Sequence, residues 1–173
     1  VKYQAEAEAA GADMTKITVI RFNRSLVDQD MDQANQLLEK LTNLTDDYLE
    51  INGARVRLYL ALAKGAKDKG DQLGFDPHAS KALDLAKNMT TEVPFSAFAW
   101  RMLGTAYSTL GQQLEALSAF AEAYRIAPND KENIRKYVAL LALTRAEPQR
   151  HLRVVRIAKK QFPNDKQIHE RWR

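Results

Sequence analysis

The stretch Ala97–Asp130 reads AFAWRMLGTAYSTLGQQLEALSAFAEAYRIAPND, and its spacing decides the fold. Apolar and small residues recur at three- and four-residue steps, first at Trp100, Leu103, Gly104 and Tyr107, then at Ala116, Phe120 and Ala123. That period is the period of two amphipathic helices. Gly111 stands between the runs and stops the first helix, with Gln112-Gln113 in the turn. Pro128 ends the second run because proline cannot continue a helix, and Asn129-Asp130 offers caps for the next one. Gly104 and Ala116 lack bulk, so the two helices of such a hairpin can approach closely. Tyr107 and Phe120 fill the space beside that contact, and Ala123 admits a following unit.

Outward from this stretch the pattern repeats. Pro94, Pro128 and Pro163 are spaced by 34 and then 35 residues, and Ala127-Pro128-Asn129-Asp130 has a near-copy in Phe162-Pro163-Asn164-Asp165. Ala82 and Ala116, Ala86 and Phe120, and Met89 and Ala123 are each 34 apart. Each interval holds two helices of about a dozen residues and a turn. With Trp100, Leu103-Gly104, Tyr107, Ala116, Phe120, Ala123 and Pro128 in register, Ala97–Asp130 resembles the tetratricopeptide repeat at each of its signature sites. The resemblance implies an all-α, right-handed α–α superhelix of about four hairpins. It also implies a concave groove lined by the first helix of each hairpin.

The predicted hairpins span residues 13–45, 46–94, 97–130 and 131–165, within a repeat domain covering 13–173. Val1–Ala12, rich in alanine and glutamate, is expected to be a frayed segment, and residues 166–173 a partial helix with Trp172 in step with Tyr137. Met14–Val27 and Met31–Leu44 form the first pair, with Ala34, Leu38 and Leu41 on the buried stripe. In the second, Asp76-Pro77 is expected to start a helix as N-cap and first residue. Lys67–Phe75 then becomes an insertion of about ten residues relative to the 34-residue unit. Its Leu73 and Phe75 either tuck onto neighbouring helices or protrude as a contact. In the last hairpin the extra residue falls near Glu147-Pro148, and His151 stands where the pattern wants a small alanine.

Composition narrows the classes of function. No cysteine occurs among the 173 residues, which excludes a disulfide framework, a thiolate zinc site and a cysteine nucleophile. Seven glycines and five prolines are too few for an all-β chain with many tight turns. The formal charge is +4, yet residues 131–173 hold 12 basic and 4 acidic side chains, a net of +8, and residues 1–130 hold 14 and 18, a net of −4. The chain opens at Val1, as expected of a processed or excised chain. No stretch approaches the roughly 18 apolar residues of a membrane span. The compartment stays open between cytoplasm and periplasm for a soluble protein.

Catalysis has little to stand on. His78, His151 and His169 fall in different units, and none belongs to a His-Glu-x-x-His motif. Gly65 and Gly70 have the spacing of a phosphate loop, but Asp71-Gln72 follows where lysine and a hydroxyl are required. Carboxylates such as Asp28, Asp30, Asp46 and Asp47 sit at helix starts, where capping explains them. No enzyme, metal or cofactor is expected.

The repeat does supply surface. The resemblance points to a groove that binds a partner peptide or helix, presenting Phe98, Arg101, Thr105, Ser108 and Thr109 from one unit and Glu132, Arg135, Ala139 and Ala142 from the next. A carboxylate clamp of the kind found in heat-shock co-chaperones of this family would draw charge from Arg101, Arg135 and Lys136, but Thr105 stands where an asparagine is expected. Reversing Arg101 and Arg135 to Glu is expected to spare folding and weaken partner binding. A second surface gathers Arg150, Arg153, Arg156, Lys159 and Lys160 on one helix. These side chains are either a solvated face or a contact for an acidic partner, an anionic membrane surface or nucleic acid. Few aromatics interleave with them, which weakens the nucleic-acid option. The layout of Leu58–Ala63, a long connection and Lys81–Ala86 loosely resembles bacterial c-type cytochrome assembly factors. An envelope assembly factor or chaperone, of that type or serving pili or secretion, is thus the alternative to a general adaptor.

Overall fold

Most helices in this chain start where a short polar side chain can accept a backbone N–H of the first turn. The computed structural model describes residues 13–145, 148–166 and 168. Its helices are α1 Met14–Val27, α2 Met31–Leu44, α3 Tyr48–Asp68, α4 Gln72–Glu92, α5 Ala97–Thr109, α6 Gln113–Ile126, α7 Lys131–Thr144 and α8 Pro148–Gln161. Among the described residues there is no strand. Asp13, Asp30, Asp47, Ser96 and Asp130 each accept a hydrogen bond from the N–H three residues on, at 2.8–3.2 Å. Each such cap is worth about 1 kcal/mol over alanine.

Two kinds of turn recur at the helix ends. Asp28-Gln29-Asp30, Lys69-Gly70-Asp71 and Leu110-Gly111-Gln112 reverse the chain within three residues. Their middle residues are left-handed, at φ 59, 72 and 77. In each, the third residue's N–H bonds a carbonyl five residues back: Asp30 to Ser25, Asp71 to Ala66 and Gln112 to Tyr107, at 2.8–3.0 Å. This is the Schellman closure, which satisfies carbonyls that a helix end leaves free. Val93-Pro94-Phe95-Ser96, Ala127-Pro128-Asn129-Asp130 and Phe162-Pro163-Asn164-Asp165 make the other kind. The fourth N–H bonds the first carbonyl at 3.1 Å in all three. Proline in the second position is preset for such a turn, and the fourth residue then caps the next helix.

The chain divides into two units, residues 1–85 and 86–173, with the division inside α4. In the first unit, Phe22, Ala34, Leu41, Ala54 and Leu58 form a core between α1, α2 and α3, ringed by Val19, Leu26, Leu38 and Leu62. The Arg57 guanidinium lies over the Phe22 ring, 5.7 Å from its centre. Farther along α3, Tyr59 stacks on His78 of α4, with the Lys81 ammonium 4.9 Å above the Tyr59 ring.

In the second unit, Ala116, Leu117 and Phe120 of α6 meet Ile134, Tyr137, Val138 and Leu141 of α7, and Val154, Val155 and Ala158 of α8. Gly104 shows why α5 and α6 need a small residue at their contact. A Cβ there would stand 2.8 Å from the Phe120 ring. Trp100 turns back from α5 and donates its indole N–H to the Pro94 carbonyl at 2.7 Å. It thereby ties the helix to the turn before it.

The structure corrects the expectation for Lys67–Phe75. It is not an inserted loop: α3 runs to Asp68, α4 begins at Gln72, and only residues 69–71 connect them. The additional residues lengthen both helices to 21 residues, against 13 and 14 in α5 and α6. Gly70 supplies the left-handed turn, and Asp71 accepts the Gly74 N–H at 2.9 Å. Asp71 therefore caps α4 in place of Asp76, whose carboxylate instead accepts the Gln72 side-chain amide at 2.6 Å. Pro77 sits inside the helix, not at its first position. The bond it cannot make is to the carbonyl of Leu73, a residue 91% exposed on the solvent side of α4. Phe75 behaves differently. It is 9% exposed and lies under the Lys67 ammonium, so the two apolar residues of the segment have opposite fates. The expectations for Val1–Ala12, for Glu147 and for Trp172 lie outside the described residues, as does the segment 166–173 apart from Lys166 and Ile168.

Candidate partner-binding groove

Helices α5 and α7 expose one face each, and between these faces lies a concave groove of about 670 Å³. Thr105, Ser108 and Thr109 line it from α5, Lys136, Ala139, Leu140, Ala142 and Leu143 from α7, and Phe120 from α6. The alanines leave room on the α7 side, and Leu143, 69% exposed, stands at the margin. Thr105 donates its hydroxyl hydrogen to the Arg101 carbonyl at 2.9 Å, and Thr109 donates to the Thr105 carbonyl at 3.0 Å. Both hydroxyls thus face the groove as acceptors whose single hydrogen is already committed.

The charged residues of the same faces form a separate cluster toward the helix N-termini. Arg101 is 12% exposed at its side chain and pairs with Asp130 at 3.3 Å and with Glu132. Its guanidinium carbon also lies 5.3 Å from the Phe98 ring centre. One repeat later, Arg135 donates to Asp165 from Nε at 2.9 Å and from a terminal nitrogen at 2.6 Å. Lys131 joins the same carboxylate at 3.0 Å. Each arginine therefore binds the aspartate that ends its own repeat and caps the next. Burial alone pushes the Asp165 carboxyl up, but hydrogen bonds from Arg135, Lys131 and the Ile168 N–H outweigh it and hold the group down at about 2.

Lys136 has another environment. Burial pushes its ammonium below the ordinary lysine range; Glu132 opposes that shift and Arg101 adds to it. Periodicity identifies its place, since residues 136, 139, 140 and 143 follow the i, i+3, i+4, i+7 rule of one helix face. A lysine at the head of an apolar stripe reads as solvent-facing, so sequence reasoning counted its charge and not its position.

The expected residues thus fall into two groups. Thr105, Ser108, Thr109, Ala139 and Ala142 come together in the groove, while Phe98, Arg101, Glu132 and Arg135 lie beside it in the ion-paired cluster. On α8, Arg150, Arg153, Arg156 and Lys160 are exposed and Lys159 is half-buried, with Val154, Val155 and Ala158 turned into the core. His151 is half-buried, and burial lowers its pKa. Among the described residues, no three metal-capable side chains gather, and no helix is long and apolar enough to cross a membrane.

These hairpins, with a glycine at the α5–α6 contact and proline turns between units, define an all-α protein of the tetratricopeptide-repeat fold. No family model matches the chain, and no curated protein matches it by sequence. Solved structures do match. The chain is similar to TTC0263, a thermophilic tetratricopeptide-repeat protein of Thermus thermophilus, with a TM-score of 0.76 and 19% identity over 98% of this chain and 84% of that one. It is also similar to the MamA protein, with a TM-score of 0.52 and 17% identity over 91% of this chain and 78% of that one.

Proposed function

We propose that the protein is a non-catalytic interaction scaffold whose α5–α7 groove receives an extended peptide or a helix of a partner protein. The observation that carries this reading is the groove itself. It is built from small and hydroxyl side chains on two ordered helices, and its wall is braced by the Arg101 pairs to Asp130 and Glu132. A preformed groove binds without the cost of ordering its own backbone. Arg101 and Arg135 serve this reading as braces that hold α5 and α7 to the following turns. Their reversal to Glu would place like charges beside Asp130, Glu132 and Asp165, so it lowers the melting temperature, contrary to the expectation from sequence.

A library of random peptides displayed on phage tests the reading. The protein should enrich a family of related peptides, and Ala139→Trp, which fills the groove from one side, should abolish that enrichment with little change in melting. Absence of any enrichment over empty phage sinks the proposal. A second reading rests on the exposed cations of α8, whose fit is to an acidic partner or an anionic surface. Binding of that kind weakens steeply with added salt, whereas binding in a largely apolar groove does not.

A further inference from the structure

Lys136 is the cation that the fold leaves uncommitted in this groove. Arg101 is held by Asp130 and Glu132, and Arg135 and Lys131 are held by Asp165. Among the described residues Lys136 makes no hydrogen bond and no ion pair. Glu132, one turn back on α7, attracts it, yet that carboxylate is engaged by Arg101. Burial has already lowered the lysine's affinity for its proton, so its charged form gains from any anion brought to it. The other groove hydroxyls narrow the choice. Thr105 and Thr109 have donated their hydrogens to the backbone, which leaves the Lys136 ammonium and the Ser108 hydroxyl to meet a ligand's acceptors. A phosphoryl group calls for several charged donors, whereas one ammonium and one hydroxyl suit a carboxylate.

Resting on the groove reading above, we propose that the α5–α7 groove selects partner segments carrying an Asp or Glu side chain flanked by apolar residues. The carboxylate sits on Lys136, and the flanking side chains fill the space over Ala139, Ala142 and Leu143. The pairing is charge complementarity on a surface that supplies one cation, hydroxyls from α5 and apolar contact from α7. It accounts for the lysine standing at the head of that stripe with no carboxylate paired to it among the described residues.

The phage library also tests this inference, because peptides fused ahead of the coat protein have no free C-terminus. Wild-type protein should enrich peptides with an acidic residue beside apolar ones. Lys136→Gln should keep the apolar preference and lose the acidic one, and Lys136→Glu should turn it toward Lys and Arg. Lys136→Met, which keeps the aliphatic stem, serves if Lys136→Gln does not fold. For the best peptide, synthesised with both ends blocked, Lys136→Gln should weaken binding on the order of tenfold. Replacing the peptide's acidic residue by its amide should cost the same factor, and the two losses should not add. Enriched peptides without acidic preference, or a preference that survives Lys136→Gln, overturn the inference while the groove reading stands. Binding confined to peptides with a free C-terminal carboxylate also overturns it. A library with no enrichment at all removes the groove reading and this inference together.

Discussion

The α3–α4 and α5–α6 hairpins turn the chain in the same way and differ in almost everything else. Gly70 and Gly111 hold the same left-handed φ, and the same five-residue closure follows each. Yet α3 and α4 have 21 residues each, and the α5–α6 pair has 13 and 14. In the short hairpin a glycine lies against an aromatic ring, at Gly104 and Phe120; in the long one Gly65 faces open space. Turn chemistry is local and is set by three residues, so it survives a change of helix length. Side-chain contact between helices depends on register along their whole length, so it does not. A period of 34 residues finds the contacts of one hairpin and misses the turn of the other.

The sharpest break in this comparison is Gly104→Leu. A side chain there must displace the Phe120 ring, so overpacking should cost up to about 3 kcal/mol, read as a fall in melting temperature. An unchanged melt would show that α5 and α6 do not meet as described. Next come the turn glycines. Gly70→Ala and Gly111→Ala each force an L-residue into the left-handed region and should lose about 1–2 kcal/mol. Equal losses in urea denaturation support one shared turn, and a loss at Gly111 alone would mean that Gly70 is not a Schellman turn.

A smaller effect separates the last repeat by pH. The Asp165 carboxyl is held at about 2, below its ordinary 3.8, so the folded state prefers its charged form. The stability it contributes is full above about 3.8 and is lost as pH falls toward about 2. Asp165→Asn should lower the melting temperature at neutral pH and flatten its fall in that acid window. Superimposable pH profiles of variant and wild type would remove the role given to the Arg135–Asp165 link. Smallest is Gly65→Ala in α3. With nothing within 4 Å of the added Cβ, helix propensity alone should raise stability by about 0.5–1 kcal/mol. A destabilised variant would mean that α3 is packed at that point after all.

The second half of the chain was the more legible one. Pro94, Pro128 and Pro163 mark turns that close with hydrogen bonds of the same length, and Gly104 allows the close approach of α5 and α6 beside Phe120 that its lack of bulk led one to expect. Proline misled at position 77, because an N-cap aspartate six residues before it already starts the helix. The missed signal was Gly70 followed by Asp71, which lies 41 residues before Gly111 as Gln29 lies 41 before Gly70. Gln29 hid the pattern, since a left-handed residue other than glycine gives no sign in sequence.

While the turns at Gln29 and Gly70 went unread, sequence alone determined most of the helices, the aspartate and serine caps at their starts and the proline turns. Each depends on residues within five positions of one another, where spacing and backbone geometry are enough. Tertiary structure decided which charges are free. Arg101, Arg135 and Lys136 are three cations of similar promise in sequence, yet two meet carboxylates 29 to 31 residues away and the third pairs with none among the described residues. Coulomb energy depends on distance in space, and only the packing of α5 and α7 against the turns after them sets those distances.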